Sequence, residues 1–405
     1  MRSLKTCKFL PAALALLLAA AAPARAYVLS GLDVAGEGDF YIFEGKRVGL
    51  ITNQTGVNRA GRSGVDAMFG SGKVKLKAIF SPEHGFRGTA ADGEIISNST
   101  DPVTGLPIYS LYGKTRRPTP AMLAGLDLLV FDIQDVGARF YTYLTTMALC
   151  MEEAAKLHIP FVVLDRPNPL GGDVMEGPVL PRNIQDFTGY FPVPVRHGMT
   201  AGEVALLHKD VRKLDLDLTV VKLRGWSRAD LYDSTGLEWV NPSPNIRGLD
   251  AAVMYPGIGS FESTNMSVGR GTDAPFLWFG APWLDADRLI SVLAAADLRG
   301  VTFAREDKTP SRDIYAGKLC RGVRMTVTDR AAVRPMEIFV RAVVALRDKR
   351  YYPEFRVDAA SLRLTAGNNV YKAVFESKES ADGIVADFRA QCADFGSARA
   401  KYLLY

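Results

Sequence analysis

The chain has 405 residues, 48% of them hydrophobic and 23% charged, with four cysteines and a formal charge of +5. This length supports two domains and needs no disulfide framework to bury a core. The basic surplus belongs to the N-terminus: Arg2, Lys5, Lys8 and Arg25 fall in the first 26 residues without an acid, and the remainder carries 45 basic against 44 acidic residues. That balance excludes the concentrated positive charge of a nucleic-acid binder.

Taken in order, the chain opens with a basic stretch, an apolar run from Phe9 to Ala22 and a small-x-small site at Ala24-Arg25-Ala26. These are the parts of a cleaved signal peptide over residues 1–26, so a mature chain beginning at Tyr27 is expected to be periplasmic or secreted. The apolar run is too short for a comfortable membrane span, and no later segment is long and apolar enough, so no stable membrane insertion is expected after cleavage. Cys7 precedes the apolar run rather than closing it, unlike a lipoprotein signal. Cys150, Cys320 and Cys392 remain, an odd set that permits at most one intramolecular disulfide. His84, His158, His197 and His208 show no metal-ligand spacing, and no metal site is expected.

Residues 46–52 read as a strand ending in Asn53-Gln54-Thr55-Gly56, followed by a helix within 61–73. Residues 76–80 form a second strand, stopped by Ser81-Pro82 because proline lacks a ladder N–H, and it leads into Glu83-His84-Gly85-Phe86-Arg87-Gly88. A short strand is expected within 107–112. Residues 126–133 are a near-continuous apolar run, as in a strand buried on both faces of a parallel sheet. They end in Asp132-Ile133-Gln134-Asp135, and a helix follows over 141–158. Residues 161–164 form a strand ending in Asp165-Arg166-Pro167-Asn168, with a later strand at 218–223. Residues 225–283 are dense in turn residues and aromatics and read as irregular. The domain junction falls there, near residue 240, dividing 27–240 from 241–405. Beyond it come a helix over 285–298, strands over 300–304 and 323–328, an amphipathic helix over 334–350 and a last helix over 381–403.

Strands alternating with helices indicate an α/β fold with a parallel sheet. Four of these strands end in polar loops: Asn53-Gln54, Glu83-His84, Asp132-Gln134-Asp135 and Asp165-Arg166-Asn168. Parallel strands bring their carboxyl ends to one edge, so the loops should converge on one crevice. Neighbouring carboxylates raise one another's pKa, which lets one stay protonated while another is ionised, the pairing that glycosidic cleavage uses. Arg87, Arg139 and Arg166 offer planar cationic forks to a substrate carboxylate. Tyr141 and other aromatics offer apolar faces for sugar rings, although for most of them a core role is the expected one. Asp132 and Asp135 stand open between catalysis and loop-fixing hydrogen bonds.

The motifs at 81–88 (SPEHGFRG), 105–113 (GLPIYSLYG), 131–143 (FDIQDVGARFYTY), 164–172 (LDRPNPLGG), 197–203 (HGMTAGE) and 262–272 (ESTNMSVGRGT) resemble the NamZ-type exo-β-N-acetylmuramidases. So do 48–57 (VGLITNQTGV) and the terminal KYLLY. The resemblance spans essentially the whole mature chain. It implies a Rossmann-like N-terminal domain, a smaller α/β (α+β) C-terminal domain and an active-site cleft between them. It also implies release of N-acetylmuramic acid from the non-reducing end of peptidoglycan-derived chains or muropeptides, without a cofactor, and Glu83 as the leading catalytic carboxylate. Asp132 and Asp135 are its candidate catalytic companions. Asn53, His84, Arg87, Arg139, Tyr141, Asp165, Arg166, Asn168, Glu262, Asn265 and Arg270 are candidate substrate contacts. One of Arg87, Arg139 and Arg270 is expected to meet the lactyl carboxylate of muramic acid. Some relatives carry a lipid-anchoring cysteine at the signal junction, which this chain lacks. A non-catalytic periplasmic binding protein for peptidoglycan fragments is the alternative from another class, and a metal-dependent hydrolase is a third.

Overall fold

The structure, a computed structural model, describes residues 27–88, 90 and 93–405, and the leader expected over 1–26 lies outside them. The described strands form two sheets. The larger contains β1 (Arg47–Thr52), β2 (Lys75–Ser81), β3 (Ser99–Thr100), β4 (Pro107–Ser110), β5 (Leu128–Asp132), β6 (Phe161–Leu164) and β7 (Leu218–Val221). Their spatial order is β3-β4-β2-β1-β5-β6-β7. All neighbours pair in parallel except the short edge strand β3. Without β3 this is the doubly wound Rossmann order, and its direction reverses between β1 and β5. The four strands expected to share a carboxyl edge do so.

Residue alternation explains why the sheet is covered on both faces. In β1, Val48 and Leu50 join one core while Ile51 joins another; in β5, Leu128 and Val130 separate in the same way from Leu129 and Phe131. The first face is covered by the helices Gly31–Glu37 and Gly64–Gly70, through Leu32, Ala35, Val65 and Met68. The second is covered by the helices Tyr143–Lys156 and Ala201–Arg212. Period-two alternation therefore decides which way the last residue of each strand points. Asp132 shares the parity of Leu128 and Val130, so it points to the first face.

The smaller sheet is antiparallel: β8 (Trp278–Ala281), β9 (Val301–Arg305) and β10 (Arg321–Val327), with β10 in the centre. The helix Ala286–Ala294 packs on it, Pro335–Leu346 packs on that helix, and Leu249–Ile258 packs on Pro335–Leu346. Its buried residues are continuous with the second face of the large sheet, so one core joins both sheets. The stretch 225–283, read as irregular, therefore contains a helix and a strand. Leu249–Ile258 is buried along nearly its whole length, so it shows no amphipathic period. The last residues dock back on the first sheet: the Tyr405 hydroxyl donates to Asp165 and the Leu404 N–H to Glu203. Cys150, Cys320 and Cys392 are free and buried.

Candidate active site

Glu83 follows β2 on the carboxyl edge of the sheet. Its two oxygens accept hydrogen bonds from different directions: the Thr142 hydroxyl donates to Oε2 at 2.7 Å and the Gly93 N–H to Oε1 at 3.2 Å. Thr142 is the N-cap residue of the helix after β5, so Glu83 is held across the point where the strand order reverses. The loop carrying it is closed by His84. That residue sits in the left-handed region at φ 68°, and its Nδ1 lies 2.9 Å from the Ala90 carbonyl. A carbonyl only accepts, so Nδ1 carries the proton. Gly88 also has positive φ, and a Cβ there would overlap the Gln54 amide; glycine is what lets this loop lie against the β1 loop.

Beside Glu83 lies the fully buried Tyr143, whose hydroxyl donates to the Pro242 carbonyl at 2.5 Å. Burial pushes this phenol well above its ordinary value, and Glu83 and Asp135 push it further in the same direction. Both carboxylates therefore act on one hydroxyl. Asn53 joins them: its amide lies beside the Tyr143 hydroxyl, and its Oδ1 fixes the β1 turn by accepting from the Thr55 N–H and hydroxyl at 2.9 and 2.6 Å. The Tyr141 ring packs edge-on against Tyr143, with centroids 4.8 Å apart. Gln54 donates to the Asn241 carbonyl at 2.9 Å, so the segment 241–243 is tied to this cluster at several points.

Asp135 is buried and accepts the Gly137 N–H at 2.7 Å through Oδ2, while Oδ1 has no hydrogen-bond partner among the described residues. Burial pushes its carboxyl up to about 7, against the pull of backbone N–H groups. His197 approaches with Nε2 3.9 Å from Oδ2. Its Nδ1 accepts the Met199 N–H, and burial together with nearby arginines pushes it down to about 3, so the neutral ring carries its proton on Nε2, facing Asp135. The pair gives the site a carboxyl held near neutrality. A sign follows from linkage. Below pH about 4, Asp135 is protonated whether folded or unfolded. Between about 4 and 7 the folded chain holds the extra proton, so this group costs increasing stability as pH rises through that window. Asp135→Asn is therefore expected to melt higher relative to wild type at pH 8 than at pH 4, a comparison that thermal unfolding at the two pH values checks. A gap independent of pH would contradict the burial argument.

The other sequence candidates divide by place. Asp132, on the opposite parity, turns toward Gly56 and Gly64 and pairs with Arg166 at 2.6 Å, with 0% and 5% of the two side chains exposed. Asp165 accepts from the Arg166 N–H, the Gly202 N–H, the Thr200 hydroxyl and the Tyr405 hydroxyl; burial raises it to about 6. Asn168 spans from the Leu170 N–H to the Met199 carbonyl. Arg139 is buried and donates to the Pro178, Val193, Leu364 and Thr365 carbonyls, and burial pushes it down to about 9. Arg87 is exposed, 3.5 Å from Asp101. Asn265 links the backbone of Glu354 and Arg356.

Glu262 and Arg270, paired at 2.5 Å, line a cavity of about 650 Å³ together with Gly93, Arg312 and Asp313. Gly93, whose N–H donates to Glu83, links this cavity to the carboxylate, and Met266 and Val268 are its apolar part. Its size suits one or two sugar rings, since ligand clefts run from about 300 to 1,000 Å³. A larger groove of about 780 Å³ lies between the Leu180 loop and the C-terminal helix and shares no lining residue with it. Among the described residues no group of three His, Cys, Asp or Glu side chains could hold a metal ion, and no helix is long and apolar enough to cross a membrane. Thr142, Tyr143 as the hub, His197, the 241–245 segment and Arg312 were not singled out as site residues from the sequence. Thr142 and Tyr143 stand in the quoted motif 131–143 and His197 in 197–203, whereas Arg312 stands in none.

Comparison with known proteins follows the same outline. Residues 48–250 match the family model for the N-terminal part of the exo-β-N-acetylmuramidase NamZ, and residues 253–405 match that for its C-terminal part. The peptidoglycan β-N-acetylmuramidase NamZ of Bacillus subtilis (strain 168) is 44% identical over 364 residues, covering 89% of this chain and 87% of the relative. Crystal structures of two DUF1343 family proteins from Bacteroides fragilis superpose with TM-scores of 0.86 and 0.77, at 36% and 30% identity. Each match covers 94% of this chain and 99% of the other. The chain belongs to the NamZ exo-β-N-acetylmuramidase family of glycoside hydrolases.

Proposed function

We propose that this chain removes N-acetylmuramic acid from the non-reducing end of peptidoglycan fragments, with Glu83 as acid/base. The observation that carries this reading is Glu83 itself, fixed by Thr142 and by Gly93, a residue that lines a cavity of about 650 Å³. A carboxylate held by two donors from separate loops keeps one orientation, which is what proton transfer to a glycosidic oxygen requires. Asp135 is the companion carboxyl, kept near neutrality by burial. Asp132, Asp165, Arg166, Asn168 and Arg139 serve as positioning residues, since each is buried and makes hydrogen bonds within the fold. Asn53 and Tyr141 line the Glu83 cluster, His84 holds its loop, and Glu262 and Arg270 form the facing wall. Arg87 is a rim residue, and Asn265 supports the wall. The catalytic unit is the larger-sheet domain, residues 27–240, with residues 241–405 completing the cleft.

Turnover of an aryl β-N-acetylmuraminide, with the matching glucosaminide as control, tests the reading: release specific to the muraminide supports it. A folded chain that binds peptidoglycan fragments and releases no sugar would leave the binding-protein alternative in its place.

Residues 1–26 act in this account as a cleaved leader that delivers the enzyme to its substrate. N-terminal sequencing of the chain recovered outside the cytoplasm should begin at Tyr27, whereas an intact Met1 on the functional protein would contradict export by cleavage.

A further inference from the structure

We infer that Arg312 is the residue that reads the carboxylate of the sugar in the cavity beside Glu83, and so sets its preference for muramic acid. The inference rests on the muramidase reading of this site. Muramic acid differs from glucosamine by a lactyl ether, so discrimination between them calls for a cation where the bound ring presents that group. Two arginines line the cavity. Arg270 is already matched by Glu262 at 2.5 Å. Arg312 has no carboxylate within ion-pair distance among the described residues; its guanidinium donates to Asn245 Oδ1 at 3.0 Å, a neutral amide. An amide partner orients the fork without neutralising it, leaving further N–H groups for a bidentate contact.

The position of Arg312 is built from both sides. Asn245 is fully buried and ends the segment whose Pro242 carbonyl accepts from Tyr143 and whose Asn241 carbonyl accepts from Gln54. The cluster around Glu83 and the Arg312 fork therefore hang on the same five residues. From the other side, the Ser311 N–H and hydroxyl both donate to the Gly271 carbonyl at 2.9 and 2.8 Å. Asp313 follows in the left-handed region at φ 69°, a strained conformation for a residue with a Cβ. Asp313 brings one carboxylate to the same rim, so the ligand's anion is held by direct contact with Arg312 rather than by a diffuse positive field.

The test is calorimetric binding to the full chain of N-acetylmuramic acid and of its lactyl methyl ester, which keeps the shape and removes the charge. Wild type is expected to favour the acid by roughly tenfold or more, the worth of one charge-assisted hydrogen bond. Arg312→Ala should bind acid and ester alike, with Arg312→Lys between. Equal wild-type affinities, or a preference that survives in Arg312→Ala, would overturn the inference. Turnover of the aryl muraminide is read separately: if it is absent while Arg312 still selects the acid, the muramidase reading fails and the carboxylate site stands.

Discussion

Glu83→Gln is expected to lower kcat on an aryl β-N-acetylmuraminide by about 10²- to 10⁴-fold, the usual contribution of a positioned acid/base, with KM changed far less. Glutamine keeps the shape of the side chain. Its carbonyl can accept the Gly93 N–H and its NH₂ can donate to the Thr142 hydroxyl, so both bonds that fix Glu83 have replacements. The melting temperature should stay close to that of wild type, which separates lost chemistry from lost structure. A Glu83→Gln enzyme within tenfold of wild type would remove Glu83 from the reaction and move attention to Asp135. Thr142 offers a milder version of the same argument, because losing its hydroxyl frees the carboxylate to rotate but leaves it in place.

The second large effect concerns stability. Arg166→Ala is expected to destabilise the chain by about 3–5 kcal/mol, the range for breaking a buried ion pair by removing one partner. The Arg166–Asp132 bond is 2.6 Å long and almost wholly shielded from water. Arg166 also supplies a donor to the Val57 carbonyl at 3.0 Å. Burial, with the Asp33 charge, pushes the Asp132 carboxyl up, and Arg166 is what opposes that push. Without the arginine, the folded pKa of Asp132 rises further above its unfolded value near 4. The destabilisation should then be smallest below pH 4 and grow as pH rises, by linkage. Combining Arg166→Met with Asp132→Asn removes the stranded charge and should recover much of the loss. Denaturant unfolding of the single and double variants at pH 4 and pH 8 measures this. A single variant as stable as wild type at pH 8 would mean that the pair contributes nothing to the fold.

The sheet was legible because buried parallel strands are apolar on both faces: residues 126–133 and 161–164 read as strands on composition alone, and both lie in the sheet's interior as β5 and β6. The helix Ala201–Arg212 was not assigned, although its Thr200-x-x-Glu203 capping box is present in the sequence and formed in the structure; this is a local signal that was there to use. Leu249–Ile258 gave no such signal, because a helix buried all round carries no polar stripe.

At the site, the convergence of the four loops was legible and the division of labour among them was not. Asp132 and Asp135 lie three residues apart and look alike in sequence. Strand parity sends Asp132 beneath the sheet's first helices, to Arg166, while the turn after β5 leaves Asp135 beside Tyr143 and His197. Arg139 reads as a cationic fork for substrate until its carbonyl partners, supplied by residues 178, 193, 364 and 365, are brought around it by the tertiary fold. Arg312 lies in a stretch without a motif, and only the tertiary fold brings the loop after β9 to the cavity that Gly93 also lines.

The measurement that bears most directly on the account is product analysis with a defined glycan carrying N-acetylmuramic acid at its non-reducing end. Free N-acetylmuramic acid is expected in large molar excess over enzyme, with the remaining chain shortened by one residue at a time and no release by Glu83→Gln. A stoichiometric complex without free sugar, or internal cleavage into longer fragments, would contradict it.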